Sequence, residues 1–237
     1  MALDEALMAH AGRAGDAVFR VYAWSRPTLS LGRNQRARGD YDLDAARDLG
    51  VAFVRRPTGG RALLHQHEVT YSVTMPAQSA SDADDAYAFI NDVLLGGVNA
   101  LGVPAKRATE TASIPPGLRP CFDAPSEHEI VVGARKLVGS AQWRRGGALL
   151  QHGSILVRDD QGMIARLMKS PITPPAAATL ADALGRDPTE SEVADVLRAS
   201  LERVVHGAVA EFDASQVADA AAALRSRYSD DTWTWRR

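Results

Sequence analysis

Cys121 and Lys136 are the residues whose types and spacing most directly offer chemistry. Cys121 is the one cysteine in 237 residues, and Lys136, with Lys106 and Lys169, is one of three lysines in a chain with 27 basic residues. A thiol is nucleophilic only as its thiolate, and a nearby cation lowers its pKa. Lysine can supply that charge and can also lose its own proton when desolvated, whereas arginine stays charged. A site that needs a removable proton would therefore keep a lysine in an arginine-biased chain. The alternatives are a small buried apolar cysteine and a solvated lysine at the start of a strand. Spacing alone leaves them open.

Other stretches carry chemistry of lower specificity. "RRPTGGRALLH" at 55–65 places a Gly-Gly pair directly after a strand. It reads either as a tight hairpin with charged flanks or as a loop whose amides face an anion or carbonyl. It lacks the Lys-Ser/Thr ending of a phosphate-binding P-loop, and no GxGxxG opens a helix. "HQHE" at 65–68 puts His65 and His67 at i, i+2 on one strand face, with His128 and His152 as further ligand candidates. No CxxC or HExxH is present, so no metal is expected, and hydrogen-bonding roles fit His65 and His152 better. Arg55, Arg56, Arg61, Arg135, Arg144 and Arg145 would form a basic rim for an acidic partner if they cluster. Ordinary surface arginines are the alternative.

The elements that must position these residues follow from hydrophobic spacing and turn signals. Leu3, Leu7 and Met8 predict an opening amphipathic helix. It lacks a preceding cap, so an upstream strand is expected to be missing or the start codon set late, with an internal methionine as the other explanation. "VFRVYAW" and "TLSLGR" predict two strands around a Pro27 turn, and 42–49 a short helix ending at Gly50. "VAFVRR" and "EVTYSVTM" predict further strands. Residues 82–101 predict a helix with an apolar stripe at Tyr87, Ile90, Leu94, Val98 and Leu101. Residues 104–127 read as a proline-rich loop. "HEIVV", "KLVGSAQW" and "ALLQHGSILV" then predict a β-meander. The C-terminal part, from about 160 to 237, reads as helical. Thr189 and Glu192 form a capping-box signature, and Val193, Val196, Leu197, Leu201, Val204 and Val205 the expected buried face. Mixed strands and helices without βαβ alternation predict an α+β fold around a mixed, largely antiparallel sheet, in a single domain over 1–237.

Composition narrows the function classes. The chain is 46% hydrophobic and 24% charged, with a formal net charge of −2, which predicts a soluble protein and argues against nucleic-acid binding by overall charge. No apolar run approaches a membrane span and no signal segment opens the chain. One cysteine cannot form an internal disulfide, so the cytoplasm is the expected compartment.

"RRPTGGRALLH", "CFDAPSEHEIVVGARKLVGSAQ" and "LLQHGSILV", in that order, resemble the biotin/lipoate A/B protein ligase superfamily. Within it they are most similar to the cysteine-dependent octanoyltransferases of lipoate synthesis. The likeness covers roughly residues 1–170, and the ending "RYSDDTWTWRR" is also similar. Gln66 stands where many relatives carry an acidic residue.

The resemblance implies a catalytic domain like those of biotin ligases and class II aminoacyl-tRNA synthetases. It implies transfer of an octanoyl group from octanoyl-acyl carrier protein to a lysine of a lipoyl domain, of the glycine cleavage H protein or E2 type. Cys121 would carry the acyl group as a thioester and Lys136 would lower the thiol pKa. Arg56, Gly59, Gly60, Arg61 and His65 would form the loop over the acyl carbonyl and chain. Gly139, Ser140, Ala141, His152, Gly153 and Ser154 would line the acyl slot. No cofactor is implied, because the incoming thioester already stores the energy. An ATP- and Mg²⁺-dependent lipoate–protein ligase is one alternative, although the C-terminal helices look too short for the accessory domain such ligases use. An amidotransferase between lipoyl domains and a catalytically silent binding module are the others.

Overall fold

The computed structural model describes residues 1–77, 80–108, 129–173, 176–205 and 207–237. Cys121 and His128 lie outside the described residues.

The chain opens with α1 (Ala2–Ala14), which ends at a left-handed Gly15. Then come β1 (Val18–Tyr22), β2 (Thr28–Leu31), α2 (Leu43–Asp48), β3 (Ala52–Arg55), β4 (Leu63–His65) and β5 (Glu68–Pro76). Asp42 caps α2 by accepting from the amides of Asp44 and Ala45, the contact a helix N-terminus needs for its orphan donors. After α3 (Ala80–Ala100) follow β6 (Ala105–Arg107), β7 (Ile130–Val132), β8 (Arg135–Lys136), β9 (Val138–Arg145) and β10 (Ala148–Leu156). The C-terminal part holds α4 (Met163–Leu167), α5 (Leu180–Leu184), α6 (Glu190–Val204), a 3₁₀ turn at Ala214–Val217, α7 (Ala218–Tyr228) and α8 (Asp231–Thr234).

Strands β1, β5, β10 and β9 form an antiparallel sheet in that order, and β3-β2-β4 form a mixed one with β2 and β3 parallel. Side chains alternate across a sheet, and here the two faces have different partners. Val69, Tyr71, Val73, Leu149 and Ile155 face the core shared with Ile90, Leu94 and Val98 of α3 and Val193 and Leu197 of α6. Ala148 and Leu150, one step out of phase, pack on Met8 and Ala11 of α1. A sheet covered on both faces explains why β10 is buried along its whole length although it contains Gln151, His152 and Ser154. The mixed sheet has its own core, in which Leu29, Leu31 and Leu64 meet Tyr41, Ala46, Ile164 and Leu167, with Phe53 and Trp235 packed against it.

Several elements depart from the sequence reading. The expected strand "KLVGSAQW" is two strands in two sheets. Leu137 is the pivot, since its amide donates to Ile130 O and its carbonyl accepts from Leu156 N. One register serves β7 and the next serves β10, so the meander is divided. Residues 105–107, expected as loop, pair with β7, and the Ala105 amide also donates to Asn99 Oδ1. The buried face of α6 is narrower than its apolar residues imply, with Val204 exposed. The capping box at Thr189 and Glu192 forms as read. Among the described residues no helix is long and apolar enough to cross a membrane.

Candidate active site

The polar residues of the α1-facing side of the large sheet meet β2 and β4 around an open pocket. Register places the walls. Gly139, Ser140 and Ala141 of β9 stand opposite Ser154, Gly153 and His152 of β10, and all six line the pocket with Arg56, Gly60 and His65. Gly153 has to be glycine, because a Cβ there would run into Gly139 O and the ring of Tyr71. Beneath this wall Tyr71 Oη lies 2.7 Å from Ser140 Oγ and accepts from Gln151 Nε2 at 2.9 Å. Burial pushes the Tyr71 phenol well above its ordinary pKa, so it stays a neutral strut.

Gly59 and Arg61 do not line the pocket. Their carbonyls instead accept from Arg56, from Nε at 3.1 Å and Nη2 at 2.7 Å. Arg56 Nη1 donates to both Ser30 O (3.0 Å) and Ser30 Oγ (3.1 Å). The Arg56 guanidinium thus ties the Gly-Gly loop to β2. That loop passes so close that a Cβ on Gly32 would collide with Gly60 O, and Gly60 itself has φ 92. Arg55 is fully buried and donates to Thr234 O, Gly32 O and Gln35 O, while Trp233 Nε1 donates back to Arg55 O. The terminal "TWTW" stretch is therefore a clamp on this loop. Of the six arginines that would form a basic rim if clustered, Arg55 and Arg56 are buried and turned inward, while Arg135, Arg144 and Arg145 are exposed.

Two buried imidazoles sit in the pocket wall. His65 stands opposite Thr28 on β2, so Ser30, two residues on and on the same face, meets it diagonally. The His65 Nε2 to Ser30 Oγ distance is 2.8 Å. The bend at 66–67 returns the chain so that Glu68 Oε1 lies 3.1 Å from His65 Nδ1. Thr70 Oγ1 donates to the same Glu68 oxygen, Trp24 Nε1 donates to Thr70 Oγ1 at 2.9 Å, and the Trp24 ring stacks on His65 with centroids 4.2 Å apart. The same bend turns His67 outward to Asp160, at 2.7 Å, so the two histidines do not share a face. Among the described residues no group of three or more His, Cys, Asp or Glu is arranged to hold a metal ion.

His152 is held differently. Its Nε2 is 2.6 Å from Thr58 Oγ1 and its Nδ1 3.6 Å from Asp4 Oδ2. Burial pushes the His152 pKa down, against the pull of Asp4. Burial alone would raise the Asp4 carboxyl. The Met1 amino group, the hydrogen bond and charge of His152, and Arg20, at 2.5 Å, outweigh it and hold Asp4 well below the usual carboxylate range.

Lys136 is buried, which removes the solvated reading, and its Nζ donates to Glu129 Oε1 at 2.7 Å. It lies just before the slot wall, which begins at Gly139. Cys121, its expected partner, falls outside the described residues.

The sequence reading missed Ser30, Trp24, Tyr22, Leu63 and Thr70, which line the pocket, and the partners Asp4, Thr58, Glu68 and Glu129. One signal was present. Glu68, Thr70, Ser72 and Thr74 alternate along "EVTYSVTM", a polar face that only the packing of α1 shows to be buried.

A model of the lipoyl protein ligase A/B catalytic domain matches residues 1–202. The chain belongs to that family. It is 37% identical, over all of its own length and 93% of the relative's, to octanoyltransferase LipM of Symbiobacterium thermophilum. With octanoyltransferase LipM of Anoxybacillus flavithermus it is 43% identical over 72% of this chain and 65% of that one. These relatives support protein N-octanoyltransferase activity. Two solved structures from Thermoplasma acidophilum share the fold. Protein Ta0514 with bound lipoic acid has TM-score 0.80 at 24% identity and covers 100% of this chain and 92% of that one. A bipartite lipoate protein ligase with its E2 lipoyl domain has TM-score 0.77 at 23% identity and covers 99% and 89%. The likeness to these structures accounts for the sheet architecture.

Proposed function

We propose that this lipoyl protein ligase A/B family member moves an octanoyl group from octanoyl-acyl carrier protein to a lysine of a lipoyl domain, of the glycine cleavage H protein or E2 type. Cys121 carries the group between the two as a thioester. The observation that carries this reading is the slot itself, with small residues from β9 and β10 facing each other where an eight-carbon chain needs a narrow groove. Each methylene buried there contributes about 0.8 kcal/mol. The relatives' shared octanoyltransferase name agrees with a slot of that shape.

The covalent step follows from Cys121 and Lys136. The thiolate attacks the donor thioester, which exchanges one thioester for another at little cost, and the acceptor amine then forms a more stable amide. Lys136, oriented by Glu129, supplies positive charge that favours the thiolate. Neither step consumes ATP.

Intact-mass spectrometry after mixing with octanoyl-acyl carrier protein, without ATP, is expected to show one added octanoyl group. Cys121→Ser is expected to lack the adduct and to lose at least about a thousandfold in transfer. An unmodified wild-type protein, or full transfer by the serine variant, would remove Cys121 from the reaction.

A further inference from the structure

We propose that Ser30, His65 and Glu68 form a proton relay that takes the proton of the attacking amine, an inference that rests on the acyl-transfer reading above.

The direction of the hydrogen bonds carries it. The chain of contacts has a donor without acceptor capacity at each end, the indole N–H of Trp24 and the guanidinium of Arg56. Trp24 Nε1 must donate to Thr70 Oγ1, so the Thr70 hydroxyl proton is directed at Glu68 Oε1. At the other end Arg56 Nη1 must donate to Ser30 Oγ, which leaves the Ser30 hydroxyl proton for His65 Nε2. His65 is then protonated on Nδ1, which donates to Glu68 Oε1. The Arg56 end sets this tautomer, and Ser154 Oγ, 3.3 Å from Nδ1, is a second acceptor for its proton. The lone pair of Nε2 is aimed, through Ser30 Oγ, into the pocket that Ser30 and His65 both line.

The surroundings suit a proton acceptor that becomes positive. The second Glu68 oxygen is buried and has no hydrogen-bond donor among the described residues, so its charge is available to an imidazolium. Trp24 stacked on the ring excludes water from one face. Arg56 opposes the imidazolium by its charge, while its donation to Ser30 Oγ stabilises negative charge on that oxygen during relay. His152 is not equivalent, because its Nε2 is engaged by Thr58, which is itself buried and does not line the pocket.

The acceptor lysine nitrogen forms a bond to the acyl carbon, and the carbon–sulfur bond to Cys121 breaks with the electron pair leaving on sulfur. Of the two protons the lysine ammonium loses, the first passes before attack to Ser30 Oγ as the Ser30 proton passes to His65 Nε2, which later releases it to solvent, and the second goes to the Cys121 thiolate or to solvent as the amide forms. General-base assistance of this kind contributes about 10²–10⁴-fold.

The test compares two amines reacting with enzyme acylated from a small octanoyl thioester. One is the lysine of a lipoyl domain, protonated at neutral pH. The other is hydroxylamine, which is already neutral there and does not have to give up a proton before it attacks. Ser30→Ala and His65→Gln are expected to slow transfer to the lysine by about 100-fold or more, and transfer to hydroxylamine by less than about threefold. Equal losses with both amines, or no loss with either, overturn the relay. Nitrogen NMR of the wild-type imidazoles gives a reading independent of the variants. Protonated Nδ1 on His65 is expected, and protonated Nε2 overturns the proposal. A missing octanoyl adduct on wild-type Cys121 overturns the acyl-carrier reading alone, and the amine selectivity of the overall reaction then still decides the relay.

Discussion

His65 and His152 line the same pocket and are almost equally buried, yet their surroundings assign them different work. His65 lies in a chain whose donors converge from Trp24 and Arg56 on Glu68, with a serine in it that faces the slot. His152 lies between Asp4 of α1 and Thr58 of the Gly-Gly loop, and so joins β10 to two elements that pack over it. Burial and residue type are the same in both. What differs is where the outer nitrogen points and whether the next group along is exposed to substrate. A buried histidine near a pocket is therefore not by itself a catalytic candidate, and the identity of its neighbours' donors decides.

The contrast can be broken most sharply by His152→Ala. Removing the imidazole takes the polar neighbour from Asp4 Oδ2 and leaves Thr58 without its hydrogen bond in a buried space, which is expected to cost about 3 kcal/mol. Thermal unfolding should shift down by about 6–12 °C in a chain of this size. A variant that melts like wild type but has lost transfer would place His152 in the chemistry and erase the distinction.

A second expectation concerns acid. The pKa of His152 is lowered in the folded state by burial, so the unfolded chain binds a proton first as pH falls. Stability from this group is present above the unfolded value of about 6.5 and lost below it, with a slope of up to about 1.4 kcal/mol per pH unit. Asp4, also lowered, adds the same sign of dependence below about pH 3.9. Urea titrations between pH 8 and 5 should show the upper limb, and His152→Asn should flatten it. An unchanged slope in that variant would mean that another group carries the acid response.

The smallest expected effect is that of Thr58→Val, a loss of about 1 kcal/mol in stability. In a double-mutant cycle with His152→Ala it should couple, while Thr58→Val and Ser30→Ala should be additive in stability. Coupling between the two loci would join the networks that the hydrogen bonds keep separate.

Much of the slot is legible in the order of residues alone. Gly139, Ser140, Ala141, His152, Gly153 and Ser154 announce themselves as small and polar residues in apolar strands, and register brings them face to face. Arg56 and Gly60 are legible as part of a backbone-exposing loop, but the internal use of the Arg56 guanidinium is not. A side chain's donors go to whichever acceptors the fold brings near, and those of Arg56 belong to Ser30, Gly59 and Arg61. Glu129, seven residues before Lys136, is within sight in "HEIVV". It can be paired with the lysine only because β7 and β8 are hydrogen-bonded neighbours. The split of the expected meander at Leu137 is hidden for a related reason, since both halves have the same strand propensity.

Local patterns thus determined the elements, their caps and the placement of small residues on β9 and β10, because those depend on side-chain period, turn chemistry and neighbours close along the chain. Only the tertiary structure decided that Asp4 would meet His152, that the terminal "TWTW" would hold Arg55, and that a tryptophan, a threonine, a glutamate, a histidine, a serine and an arginine would form one directed chain. Those contacts join residues from 26 to 179 positions apart with others only two or three apart. The direction of such a chain is set by which members can only donate, a property that acts once packing has brought them within hydrogen-bonding distance.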